Sequence, residues 1–89
     1  MYKYSLLIDI QGQNLKLLVT DKKKIVGEII LPIERNLDSQ LINGLDKLFK
    51  RNRLSKLHLE SVEIAGEIDR NSTYYRIILA FKKGLLSTK

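Results

Sequence analysis

The chain has 89 residues and a mass of 10.3 kDa, room for one domain and a thin stability margin that self-association commonly remedies. It has no Cys and a single His, His58, which excludes disulfide scaffolds, thiolate metal sites, thiol nucleophiles and His-based metal centres or triads. Sixteen Lys and Arg against ten Asp and Glu leave a net charge of +6, a weak attraction to anionic partners such as nucleic acid, carried mostly by scattered Lys of the kind that keeps a surface soluble.

From Tyr2 to Ile10 the set Tyr2, Tyr4, Leu6, Ile8, Ile10 alternates with Lys3, Ser5, Leu7, Asp9, the period of two of a half-buried strand. Gln11-Gly12-Gln13-Asn14 is a turn signal, and a second strand over 15–20 alternates Leu15, Leu17, Val19 with Lys16, Leu18, Thr20. After the charged turn Asp21-Lys22-Lys23-Lys24, a third strand over 25–31 stops at Pro32, which has no N–H for a ladder. Short polar turns make these three an antiparallel meander. One face, with Lys3, Ser5, Asp9, Lys16, Thr20 and Glu28, is mixed and the other almost wholly apolar, so helices are expected on one side only.

Leu37, Leu41, Leu45, Leu48 and Phe49 recur every three or four residues and mark an amphipathic helix over 37–52, with Asn36 as its expected N-cap. Lys50, Arg51 and Arg53 complement the dipole at its far end. Residues 61–66 alternate again as a fourth strand, which a crossover through the helix places parallel to an earlier one. The last segment, 73–86, reads as a second helix capped by Ser72 or Thr73, with Tyr74, Ile77, Ile78, Phe81 and Leu85 on one face. Tyr75, Leu79 and Leu86 form a second apolar stripe, more than one sheet face covers. The expected fold is a two-layer α/β half-domain, β-β-β-α-β-α, with a four-stranded mixed sheet and two helices on one face. No run approaches 18 apolar residues, and the start of the chain reads directly as a strand, so a cytoplasmic protein without membrane attachment is expected.

Three groups of residues invite chemistry. Parallel first and fourth strands bring Asp9 near Glu67 or Asp69, as a metal-dependent nuclease would pair acids for Mg²⁺; solvated loop acids are the plainer reading. Lys50, Arg51 and Arg53 with Lys56 are the densest basic cluster, either a phosphate contact or a dipole-complementing helix end. Gly44 costs about 1 kcal/mol relative to Ala inside a helix, which close approach by another helix would explain, as would simple tolerance. His58 reads as a loop residue without a chemical role.

The element order is also that of the first half of the ribonuclease-H-like fold of actin-like ATPases. Leu6-Leu7-Ile8-Asp9, Leu41-Ile42-Asn43-Gly44-Leu45-Asp46-Lys47-Leu48, Leu54-Ser55 followed by Val62-Glu63-Ile64, and above all Thr73-Tyr74-Tyr75-Arg76-Ile77-Ile78-Leu79-Ala80-Phe81-Lys82-Lys83-Gly84-Leu85 resemble the amino-terminal half of TsaB-like proteins. These are noncatalytic partners in bacterial tRNA threonylcarbamoyladenosine synthesis. The resemblance implies a single truncated actin-like domain without catalytic residues, metal or cofactor. It also implies pairing through the two helices, with itself or with an actin-like TsaD-type catalytic partner, and contact with tRNA only indirectly. By the same resemblance Leu41, Gly44, Leu48, Tyr75, Arg76, Leu79 and Leu86 lie at or near that contact. Where the family has a Gly-rich loop this chain has Glu67-Ile68-Asp69-Arg70-Asn71-Ser72, and Asp9-Ile10-Gln11 lacks the family's hydroxyls. The first departure, with two acids and bulkier residues in place of Gly, argues against a preserved anion-binding loop.

Overall fold

The alternation of β1 (Tyr4–Gln11) becomes physical in a computed structural model describing residues 3–55 and 58–87: Tyr4, Leu6, Ile8 and Ile10 are buried, while the residues between them are half-buried on the opposite face. Tyr2, Lys56 and Leu57 lie outside the described residues. β2 (Asn14–Asp21) pairs antiparallel with β1, placing Leu6 opposite Val19 and Ile8 opposite Leu17, and β3 (Lys24–Pro32) pairs antiparallel with β2. The third strand ends at Pro32.

α1 (Leu37–Arg51) carries the chain to β4 (Leu59–Gly66), which pairs parallel with β1, and α2 (Thr73–Ser87) follows. The sheet order is β3-β2-β1-β4, so the expected β-β-β-α-β-α fold with a four-stranded mixed sheet is the one found. β1 and β2 are central. Register shifts lie between Tyr4 and Ser5 against β4 and between Val19 and Thr20 against β3, so both irregularities fall where an edge strand meets a central one, a common way of interrupting edges.

Both helices cover the apolar face. Leu37, Leu41, Leu45, Leu48 and Phe49 of α1 and Ile78 of α2 are buried with the inward residues of β1 and β2 in one core. Each fully buried Leu or Ile side chain contributes about 1.5–3 kcal/mol relative to exposure, so the one-sided core carries most of the stability. α1 packs against β3, α2 against β4, and the helices against each other.

The helix ends depart from the sequence expectation at one point. Asn36 forms no side-chain cap; its Oδ1 accepts a hydrogen bond from Gln40 Nε2 at 2.9 Å. Ser72 does cap α2, its Oγ accepting the Tyr75 N–H at 3.1 Å. α1 closes with the Leu54 N–H donating to the Phe49 carbonyl and the Arg53 N–H to the Lys50 carbonyl, the Schellman pattern, with Arg53 at φ 57° where Gly is usual.

Candidate interaction face

Helix periodicity decides which flank of each helix meets the other. On α1 the flank beyond Leu45 carries Asp38 and Ile42; on α2 the flank beyond Phe81 carries Ile77, Ala80 and Gly84. These flanks turn toward each other and leave a groove of about 410 Å³, lined almost wholly by apolar side chains. Ile42 is 54% exposed in its wall, a large hydrophobic residue that the chain itself leaves open to water. Ala80 and Gly84 keep the α2 wall low, so a second body can approach the helix backbone closely.

The expected contact residues divide into three groups. Leu41 and Leu48 are fully buried, and Gly44 is buried against Leu31 of β3: a Cβ on Gly44 would lie 2.8 Å from Leu31 Cδ1. These three are interior positions, so the close approach that Gly44 permits is to this chain's own sheet and not to a partner helix. Tyr75 and Leu79 are half-buried and Leu86 is 38% exposed, and helix spacing sets them on the flank of α2 opposite the one that carries Ala80 and Gly84. The Arg76 side chain is exposed and makes no ion pair among the described residues. Ile42, Ala80 and Gly84, which line the groove, are not among the expected contact residues. Ile42 was the available signal, a lone isoleucine on the polar side of an amphipathic helix.

The acids do not converge. Asp9 lies on the open sheet face, where its Oδ2 accepts a hydrogen bond from Gln11 Nε2 at 2.8 Å. Glu67 and Asp69 line a recess on the other side of β1, with Ile10 and Tyr74, and Asp69 Oδ1 accepts the Asn71 N–H. The side-chain alternation along β1 separates them, and among the described residues no group of three His, Asp or Glu could hold a metal ion. Lys50 and Arg51 share a shallow recess with Asp46 and Lys47, Arg53 closes the helix, and Lys56 lies outside the described residues. His58 is exposed, its ring 6.5 Å from that of Tyr4. Among the described residues no helix is long and apolar enough to cross a membrane.

This arrangement of sheet and helices has a solved counterpart. YeaZ from Pseudomonas aeruginosa superposes on 97% of the chain with a TM-score of 0.77 at 14% sequence identity. The fold is that of YeaZ (TsaB). The chain spans 39% of the length of that protein, and the fold matches the one implied by the resemblance to the amino-terminal half of TsaB-like proteins. No family model matches the chain, and no curated protein matches it by sequence.

Proposed function

We propose that the chain is a noncatalytic protein-interaction module of the TsaB type, cytoplasmic, serving the synthesis of threonylcarbamoyladenosine on tRNA and associating through the α1–α2 face. The observation that carries the reading is the exposed apolar groove in a domain with the fold of YeaZ. A contiguous apolar recess that the chain leaves open marks a docking surface more often than a scatter of exposed hydrophobics does. Its shape suits another helix: Ile42 projects as a knob, and Ala80 and Gly84 offer a flat bed. The occupant is the helical face of a second copy or of an actin-like TsaD-type catalytic partner. In this reading the chain contributes no catalytic group, metal or cofactor of its own.

The test is light scattering after size exclusion over a dilution series, alone and with a purified TsaD-type protein. A dimer or one-to-one complex persisting at low micromolar concentration, broken by Ile42→Lys and not by Leu79→Lys, supports groove docking. Monomers throughout overturn it. Loss of association with Leu79→Lys alone moves the contact to the opposite flank of α2 and overturns the groove assignment.

A further inference from the structure

The open face of the sheet, opposite the helices, ends near the start of β1 in a recess of about 750 Å³. Three lysines line it, Lys3, Lys22 and Lys23, together with the hydroxyls of Ser5 and Thr20, which the β1–β2 register places directly opposite each other. None of the three lysines makes an ion pair among the described residues. The Ser61 hydroxyl donates to Ser5 Oγ at 3.0 Å, which leaves the Ser5 proton available to an incoming acceptor.

Two of these lysines sit in a conformation that L-residues avoid. Asp21 and Lys24 are paired across β2 and β3, so Lys22 and Lys23 are the two central residues of the hairpin turn, at φ 50° and φ 73°. Positive φ at both positions is the type I′ pattern, which Asn-Gly satisfies with little strain and which side chains with a Cβ adopt at a steric cost. The turn therefore sets two adjacent ammonium groups beside Lys3 where a less strained sequence would set none. Asp21 and Glu60 line the same recess, and carboxylates accept from a hydroxyl donor. A ligand with phosphates for the lysines and free hydroxyls for the carboxylates satisfies both sets, and the net charge of +6 favours a polyanion over a single phosphate.

We propose that this recess binds the sugar-phosphate backbone of an RNA strand without sequence preference, phosphates on Lys3, Lys22 and Lys23 and ribose 2′-hydroxyls on Asp21 and Glu60. The site lies on the sheet face away from the α1–α2 groove and stands independently of groove docking. RNA is distinguished from DNA by the 2′-hydroxyl.

The test is fluorescence anisotropy with a labelled single-stranded RNA 20-mer over a salt series, beside a thermal melt of each variant. Each lysine–phosphate contact contributes about 0.7 to the slope of log K against log salt. The double variant Lys22→Asn/Lys23→Gly restores a favoured turn while removing both charges. It is expected to melt roughly 5 °C or more above the wild type. Its slope should be shallower by about 1.4 and its binding at about 50 mM salt weaker by roughly 60-fold, taking the affinities to converge near 1 M salt. Should the double variant fold poorly, Lys3→Gln, outside the turn, is expected to lower the slope by about 0.7 at unchanged melting temperature. A wild type that does not bind RNA, slopes unmoved by these substitutions, or a slope moved instead by Lys50→Gln/Arg51→Gln overturns the assignment. Equal affinity for a DNA 20-mer, or displacement of the RNA by stoichiometric tripolyphosphate, overturns the RNA-backbone ligand.

Discussion

Gly66→Ala is expected to be the most damaging single-methyl addition at any glycine of this chain. Gly66 ends β4 opposite Ile10 of β1 at φ 96°, and an added Cβ would fall on the Ile10 carbonyl oxygen and 2.8 Å from its nitrogen. Both atoms are backbone of a strand held between β2 and β4, so neither rotates away as a side chain would. The unfavourable φ costs about 1–3 kcal/mol. Overpacking against a fixed neighbour adds about 1–3 kcal/mol. The combined loss of about 2–6 kcal/mol is a large share of the roughly 4–13 kcal/mol expected for a domain of this length. At about 4–8 °C per kcal/mol, the thermal midpoint followed by circular dichroism should fall by at least about 8 °C. Gly84→Ala is the matched control: its added carbon meets no heavy atom within 4 Å, and helix propensity alone raises stability by about 1 kcal/mol. A Gly66→Ala midpoint within about 2 °C of the wild type would refute the argument that backbone contact, and not merely helix or strand propensity, sets this position.

The two helix starts should respond differently to the loss of their polar residues. Ser72→Ala removes a real cap and should cost about 1 kcal/mol in urea unfolding, whereas Asn36→Ala, which loses only a contact with Gln40, should cost less than about 0.5 kcal/mol. Arg53→Gly relieves a positive φ at the end of α1 and should leave stability unchanged or raise it by up to about 1 kcal/mol; a loss above that size would show that the arginine side chain holds the helix end. Ile78→Ala opens a cavity in the core and should cost about 2–5 kcal/mol, against a change within about 0.5 kcal/mol for Ile30→Ala on the open face, both read from denaturant midpoints.

Most of the fold was legible because each element announces its period. The strict alternation from Tyr4 to Ile10 and the three-and-four spacing from Leu37 to Phe49 specify a face as well as an element type, and one apolar sheet face leaves a single place for two helices. The apolar groove between α1 and α2 was less legible for a related reason. Spacing tells which residues share a side of a helix and not which neighbour closes that side. Gly44 reads in sequence as close approach by another helix or as simple tolerance, and Leu31 of β3 is what lies against it; the Tyr75, Leu79 and Leu86 stripe reads as a face that something beyond the sheet covers, and spacing alone does not name the cover. The groove depends on how α1 and α2 lean together over the sheet, a tertiary fact that leaves only Ile42 as its trace in sequence. At Asn36 the backbone stands at φ −98°, ψ 35°, outside the extended conformation usual for a cap, and its Oδ1 accepts from the Gln40 amide instead, a local geometry that residue type alone does not decide.

The β1–β4 pairing also governs the order in which this chain can fold. β1, β2 and β3 pair with near neighbours through short turns, but Tyr4 meets Leu59 only after the whole of α1 and its flanking loops have been closed into one long loop. Loop-closure entropy makes that parallel contact the slow one, so the meander forms first with one edge of β1 open. That edge runs through Leu6, Leu7 and Ile8, an adhesive strand for another chain in the same state. During synthesis β4 leaves the ribosome well after β1, and the interval between them is the period in which aggregation competes with folding.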